Sequence, residues 1–392
     1  MQSKRGDTSL MLLKLREEEP SYYEKGEEHM KTSEPSYSAR FECLAEKCPE
    51  NCCMEWDVDI DKKTADYYRS LSGAFGDKLR RSMKREEEPE IPEEVLKDSE
   101  LSAIEDPSEK VEDEVPDDGL FSGLREDTFR LDGIRCPFLQ EDGLCEIRIR
   151  LGYENTPYTC REHPFNTEEY ETFAETSPSV SCPAVAKLVL ETPVSNAYPP
   201  APENEGKDPV LRLLCRKRNA ILSAFDEGKS LNRHGTELMD IAQKLQIEIN
   251  RVAPDFAYDF PGRLSVPKIR ETLKFLRNDL TILTERWRMQ LDKAISVSIN
   301  LDAFNEFQNR HTAEITRMFA YFVYRYYLKA VNDCAILVWS AFIADCAFVP
   351  AYLSFISGEP LSNTYAWFSR EIEHDRVNAE AFLDYFDDVI RR

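Results

Sequence analysis

Cysteine side chains carry the clearest chemical signal in this 392-residue sequence. Four of them lie within eleven residues with the spacing C-x4-C-x3-C-C, and three more follow with the spacing C-x8-C-x14-C. Thiolates bind zinc, copper and iron–sulfur clusters in preference to hard cations, and a short turn brings closely spaced thiols together. We therefore predict a metal or iron–sulfur centre. Its candidate ligands are Cys43, Cys48, Cys52, Cys53, Cys136, Cys145, Cys160 and Cys182.

Two other roles are open to these thiols: redox pairs or disulfides, and ordinary packing in a core. Disulfides need an oxidising compartment, and so tight a cluster is unusual for cysteines that only pack. Adjacent side chains diverge, so Cys52 and Cys53 cannot easily face one metal in an extended segment. Only His163 lies among the clustered cysteines, which favours an all-cysteine centre over a mixed Cys/His site. The cysteines predicted to pack in a helical core are Cys215, Cys334 and Cys346.

A strongly acidic stretch interrupts the elements that must position this centre. Between Glu86 and Asp118 there are 16 Asp or Glu residues against two Lys, which gives −14 of the formal net charge of −23. Such a composition buries too little apolar surface to offset the entropy of ordering. We predict a polar tail at 1–36 and a cysteine-rich, cluster-binding domain at 37–190. That domain contains a disordered acidic insertion at 84–127.

A change of pattern near residue 191 marks a second boundary. Four prolines lie between Pro193 and Pro202, so a helix cannot continue through this stretch. We predict a Pro-rich linker at 191–206 and a helical domain at 207–392, where apolar residues recur at i, i+3, i+4 and i+7. The predicted helices span 208–226, 229–248, 267–294, 312–331 and 333–348. The predicted fold class is mainly α, with a cysteine-rich metal- or cluster-binding domain followed by a helical domain.

Charge and apolar pattern argue against several classes of protein. A nucleic-acid-binding protein needs a basic surface, whereas a net charge of −23 favours a basic partner such as a lysine-rich protein. Neither G-x-G-x-x-G nor a P-loop occurs in the sequence. Charged residues interrupt the most apolar region, 319–356, so we predict buried core helices there and no membrane span. The N-terminus has no secretory pattern, and we expect a cytoplasmic protein.

The cysteine blocks resemble those of the flagellin lysine-N-methylase family, in order as well as in content. They read CLAEKCPENCCMEWDVDIDKKTADYY, CPFLQEDGLCEIRIRLG, CREHPF and SCPAVAKLVL. The cysteine region is also similar to the broader zinc- or iron-chelating CxxxCxxCC domain. The later blocks MFAYFVYRYYLKAVNDCAILVWSAFI and FSREIEHDRVNAEAF are similar to the helical C-terminal blocks of the family. The resemblance covers roughly residues 30–392 apart from the acidic insertion.

This resemblance implies a protein-lysine N-methyltransferase that uses S-adenosylmethionine and acts on flagellin or another lysine-rich protein. It also implies a 4Fe-4S cluster held by cysteines of the first half, while the residues alone leave zinc open. The chain departs from the family in its acidic insertion, its N-terminal extension and Phe165-Asn166 after the CxxHP element. The alternative functions are a non-catalytic zinc- or iron-chelating binding module and an iron–sulfur redox or maturation factor.

The expected reaction is a polar displacement. The C-x3-C-x2-C triad of radical S-adenosylmethionine enzymes is missing, because Cys53 follows Cys52 directly. Methyl transfer then needs a neutral lysine amine in line with the sulfonium methyl group, in a slot that disfavours the ammonium form. Aromatic faces suit such cations, although an aromatic stripe at helical spacing is usually part of a core. The candidate catalytic residues are Trp56, Asp57, Asp59, Tyr324 and His374.

Overall fold

The computed structural model describes residues 30–56, 58–84, 127–260, 268–298 and 300–392. The chain divides into two units, Met1–Lys31 and Thr32–Arg392. The second unit contains fourteen α-helices within the described ranges, which confirms the predicted mainly α class. The tail before residue 30 and, apart from its two end residues, the predicted insertion at 84–127 lie outside the described residues.

The helices are of ordinary length and follow one another closely in the second half of the chain. They are α1 (Lys62–Ser70), α2 (Gly73–Ser82), α3 (Glu146–Leu151), α4 (Tyr158–Glu162), α5 (Pro183–Glu191), α6 (Pro209–Ala224), α7 (Leu231–Val252), α8 (Ile269–Asn278), α9 (Glu285–Ser296), α10 (Leu301–Arg310), α11 (Thr312–Tyr326), α12 (Ile336–Ser357), α13 (Leu361–Glu373) and α14 (Arg376–Arg391).

Helix α6 begins as its sequence predicts, because the side chain of Asp208 accepts hydrogen bonds from the first free N–H groups and Pro209 occupies the first turn. The predicted single helix at 267–294 is wrong: α8 and α9 are separate. Thr284 explains the break, since its side chain accepts from the N–H of Trp287 and caps α9. The apolar periodicity continues across both helices, so it gives no signal for this cap.

Two small sheets accompany the helices in the described ranges, and the pairs β2–β4, β3–β4 and β5–β6 are antiparallel. The strands are β1 (Lys31–Ser33), β2 (Asp59–Ile60), β3 (Met83–Lys84), β4 (Asp127–Phe129), β5 (Phe165–Glu169) and β6 (Phe173–Pro178). One sheet has the order β1-β6-β5 and the other the order β2-β4-β3. The pairing of β3 with β4 matters for the acidic stretch, because Lys84 and Thr128 are partners on adjacent strands. The chain therefore leaves and re-enters the second sheet at neighbouring positions.

The described residues form two hydrophobic cores. The large core gathers the helices from α5 to α14 and also includes Tyr37, Phe173 and Val180. The small core lies around β2, β4, α1 and the segments that follow β4, with Tyr68, Phe129, Phe138 and Ile147 fully buried. Cysteine-bearing segments thus contribute to both cores, and the predicted domain boundaries at 37–190 and 207–392 stay a prediction.

Helix α12 occupies the middle of the large core. It packs against α7, α11, α13 and α14. Within the described ranges it is the one helix long and apolar enough to cross a membrane, and 83% of its apolar window is buried inside the protein. Its burial agrees with the prediction of core helices at 319–356.

Deleting residues 86–118 is expected to change the free energy of unfolding by less than about 1 kcal/mol, because the paired strands β3 and β4 already hold together the residues on either side of this stretch. Thermal unfolding and metal analysis would measure the effect. Phe129→Ala in β4 is the positive control, since removing this 1% exposed ring should cost about 3–5 kcal/mol. A deletion that costs as much as the control would show that the acidic stretch is a packed element.

Candidate functional site

Four of the predicted ligand cysteines come together in the small core. Cys136 is buried there, and Cys53, Cys145 and Cys160 pack against it. Backbone pairing explains the convergence: the N–H of Cys136 donates to the carbonyl of Cys53 at 2.8 Å, and Leu139 bridges to Cys145. Three stretches that are far apart in sequence therefore present their thiols to one neighbourhood.

Cys52 lies beside this group. A hydrogen bond from the Cys53 thiol lowers the pKa of Cys52 to about 7, and the positive charges of Arg148 and Arg370 act in the same direction. Burial raises the pKa of Cys136 to about 11 and that of Cys160 well above its ordinary value. Cys52 therefore forms a thiolate more readily than Cys136 and Cys160, because burial disfavours ionisation of those two thiols.

The other predicted ligands have different surroundings. Cys43 is exposed and its sulfur accepts from the N–H of Ala45 at 3.4 Å, while the Cys48 thiol donates to the carbonyl of Glu50 at 3.1 Å. Cys182 packs against the large core at the start of α5. The cysteines predicted to pack in helical core are all buried; they are Cys215, Cys334 and Cys346.

The donor set fits a thiolate-ligated centre. In the part of the chain that the structure describes, no three or more His, Cys, Asp or Glu side chains already stand in an arrangement that could hold a metal ion. Four thiols nevertheless share one small core, and two arginine side chains lie close enough to favour a thiolate at Cys52. Soft sulfur donors of this kind suit zinc or an iron–sulfur cluster. The ligands themselves stay a prediction.

Trp56 and His374 lie in contact, 318 residues apart in sequence. Their ring centroids are 4.6 Å apart, and His163 completes a triangle at 5.6 Å from Trp56 and 6.0 Å from His374. The indole N–H of Trp56 donates to the carbonyl of Cys52 at 2.7 Å. Two of the predicted catalytic candidates therefore meet directly beside the cysteine group.

One face of α13 holds the cysteine segment, which we define as residues 48–56. Trp367, Arg370 and His374 recur at i, i+3 and i+7 and so lie on the same side. Trp367 donates to the Glu50 carboxylate at 2.9 Å, and Arg370 stacks 4.0 Å above the ring of Trp56. Sequence reasoning missed Trp367 and Arg370, although this spacing was the available signal.

A buried polar network lies behind His374. Its Nε2 pairs with the hydroxyl of Ser181 at 2.8 Å, and Ser369 donates to Glu373 at 2.8 Å. Arg325 pairs with the Glu373 carboxylate at 2.8 Å, with both side chains at least nine-tenths buried. The Glu373 carboxylate is thus paired with Arg325 inside the protein.

The two histidines of the triangle are neutral. Burial lowers the pKa of His374 to about 3, and the charges of Arg325 and Arg370 contribute. The pKa of His163 is also lowered to about 3 by burial, by His374 and by Arg370. Neutral rings can sit beside a cationic ligand without repelling it. The site therefore combines apolar ring faces with uncharged imidazoles.

The remaining catalytic candidates are placed elsewhere. Asp59 lies in β2, where its partner across the sheet is Thr128. The ring of Tyr324 is buried in the large core, stacked on Tyr198 at 4.8 Å and beneath the guanidinium of Arg218. Asp57 lies outside the described residues. Their predicted roles in catalysis stay predictions.

Known proteins similar to the chain include lysine-N-methylases. The chain is 24% identical over 193 residues to a lysine-N-methylase of Salmonella typhimurium, and 24% identical over 193 residues to one of Salmonella choleraesuis. Each match covers 47% of this chain and 41% of the relative, so the chain spans about two fifths of these lysine-N-methylases. It is also 25% identical over 161 residues to the flagellar biosynthetic protein FliU of Salmonella muenchen, of which the match covers 78%. No protein-family model matches the chain. No solved structure matches it.

Proposed function

Because the chain belongs to the flagellin lysine-N-methylase family, we propose that it is a protein-lysine N-methyltransferase that uses S-adenosylmethionine and acts on flagellin. The proposed reaction class rests on the relatives named lysine-N-methylase, and the proposed link to the flagellum rests on the relative FliU. The contact between Trp56 and His374 beside the cysteine group is the structural observation that supports a site there. A flagellin or another lysine-rich protein is the proposed partner, and the cytoplasm is the proposed location.

The reaction moves a methyl group from a sulfonium to an amine nitrogen. The lysine lone pair forms the new N–C bond as the S–C bond breaks, and the amine must first lose the proton that it carries at neutral pH. A poorly hydrated slot favours the neutral amine, because burial penalises the ammonium form. The neutral rings of His163 and His374 and the indole of Trp56 provide such surroundings.

The proposed cofactor of the chain itself is a zinc ion or a 4Fe-4S cluster on thiols of the small core. Cys53, Cys136, Cys145 and Cys160 would hold it, with Cys52 adjacent. When bound, such a centre would cross-link the segments that carry these thiols. The cysteine segment then holds Trp56 in place through the hydrogen bond from its indole to the carbonyl of Cys52. The centre and the Trp56 site are in this way parts of one structure.

A methyl-transfer assay tests the proposal. Purified chain is expected to move labelled methyl from S-adenosylmethionine to lysines of a flagellin without added reductant, and the rate should rise with pH as the substrate lysine deprotonates. His374→Gln should lower kcat/KM at least about tenfold, because it removes a ring in contact with Trp56. The matched control is His234→Gln, a buried histidine of α7 that bonds to the carbonyl of Asp226.

Two outcomes would contradict the proposal. Metal-replete chain with no measurable affinity for S-adenosylmethionine and no labelling of flagellin or of a lysine-rich peptide panel would leave the non-catalytic zinc- or iron-chelating module as the better function. Equal losses of kcat/KM in the His374 and His234 variants would show that the reaction does not depend on the Trp56 site, because of these two histidines only His374 contacts Trp56.

A further inference from the structure

The turn that follows Cys52 and Cys53 has a strained backbone, and residues that are distant in the sequence hold it in place. Glu55 has a positive φ of 73°, a conformation that residues other than glycine rarely adopt. Its N–H donates to the carbonyl of Ile134 at 2.7 Å, and Met54 bridges to Arg135. A strained turn persists only where its surroundings over-determine it, and such turns concentrate at functional sites.

Arg370 of α13 supplies much of that support. Its guanidinium donates to the carbonyl of Met54 at 2.6 Å, lies 3.6 Å from the Glu55 carboxylate and covers the Trp56 ring at 4.0 Å. One side chain therefore contacts three consecutive residues directly after Cys52 and Cys53. That side chain is only 4% exposed, so its contacts are made inside the protein.

Neighbouring contacts fix the rest of the cysteine segment to the helices. Trp367 and Arg286 both bind the Glu50 carboxylate, each at 2.9 Å, and the guanidinium of Arg286 stacks 4.4 Å from the Trp367 ring. Glu50 and the turn at Glu55 thus lie on either side of the cysteine pair. Among these contacts, only Arg370 reaches both the turn and the Trp56 ring.

We infer that Arg370 is a positioning residue that joins the thiol centre to the Trp56–His374 site. Its planar fork and its charge hold the turn after Cys53 in the form that presents the thiols to the small core and Trp56 to His374. A lysine keeps the charge but cannot stack flat on the indole and donate to the Met54 carbonyl as a fork. Two experiments test this inference. The hydrogen-exchange experiment rests on the turn alone, whereas the metal-release experiment also rests on the thiolate centre of the proposed function.

The first experiment measures backbone hydrogen exchange in the reduced chain as purified. Arg370→Gln should raise exchange in the peptide over residues 48–58 about tenfold, with Arg370→Lys intermediate. The matched control is Arg218→Gln, which breaks an equally buried arginine contact, to Glu175 of β6. That variant should raise exchange over β6 and leave 48–58 unchanged. Wild-type exchange over 48–58 in Arg370→Gln, or an equal rise there in Arg218→Gln, would overturn the inference.

The second experiment measures the rate at which a chelator removes metal from the purified chain. Removing a partner of the ligand-bearing segment typically weakens metal binding about 10- to 100-fold, so Arg370→Gln should release metal at least about tenfold faster, with partial rescue by Arg370→Lys. Arg218→Gln should release it at the wild-type rate. A wild-type chain that carries no metal would refute the proposed centre, while the exchange experiment would still decide the role of Arg370.

Discussion

Replacing Cys136 with serine is expected to lower the metal content of the chain at least about tenfold and to unfold the small core around it. Cys136 is the buried member of the thiol group, and it lies where the segment that follows β4 meets Cys53. A lost ligand cannot be replaced by solvent at a buried position, so binding free energy that stabilises the fold is lost with the metal. Anaerobic purification with iron, zinc and sulfide analysis, and the absorbance near 400 nm, would measure the effect.

Two serine variants serve as controls for this result. Cys346→Ser removes a thiol that is 1% exposed in the large core, so it tests whether loss of a buried sulfur is enough to release metal. Cys43→Ser removes a thiol that the sequence predicts as a ligand and that the structure leaves exposed. Both are expected to keep their metal. If Cys43→Ser loses as much metal as Cys136→Ser, the centre includes the first cysteine of the sequence cluster and the four-thiol assignment is wrong.

Replacing His374 with glutamine is expected to change how stability depends on pH. The folded-state pKa of His374 is about 3, below the value of about 6.5 in the unfolded chain, so the unfolded state binds the proton first. Stability from the neutral ring is complete above pH 6.5 and is lost as the pH falls toward 3. The loss is about 1.4 kcal/mol per pH unit. The free energy of unfolding of wild type should therefore fall by about 2 kcal/mol relative to that of His374→Gln between pH 7.5 and 5.

The comparison of variants is needed because other groups oppose this trend. Burial raises the pKa of Glu371 to about 7 and that of Asp345 to about 7, so both carboxyls stabilise the fold as the pH falls through that range. Denaturant unfolding of wild type and His374→Gln at several pH values isolates the histidine. The pKa of His163 is lowered to about 3 as well. The stability of wild type relative to His163→Gln should therefore also fall as the pH falls. A constant difference across this pH range would mean that His374 has the same pKa in the folded protein as in the unfolded chain.

The sequence predicted the local features of this protein well. The spacing of the first cysteine cluster placed Cys52 and Cys53 beside each other near the proposed centre, and helical periodicity found α6, α7 and α11 within a few residues. It also located α12, although the predicted end at 348 falls well before Ser357. Such patterns are local, because a turn or a helix depends on residues a few positions apart. The break between α8 and α9 escaped this reasoning because a single capping side chain, Thr284, decides it.

The assembly of the site could not be predicted in the same way. Cys53 meets Cys136 through backbone pairing across 83 residues, and Arg370 reaches Met54 across 316. The side chains of Trp367 and Arg370 lie on an amphipathic helix whose pattern shows which face is buried without showing what covers it. The sequence named His374 as a candidate, but local pattern could not show its contacts with Ser181 and Trp56, which lie 193 and 318 residues away.

The position of α12 in the chain also shapes how the protein is made. Its apolar surface is covered in part by α13 and α14, which follow it in the sequence. At about 5 to 20 residues per second, a ribosome needs roughly 2 to 7 seconds to add the 34 residues from the end of α12 to the end of α14. During that interval a largely apolar helix stands without two of its four main partners. We therefore expect the nascent chain to bind holding chaperones, and expression yield should depend on their supply.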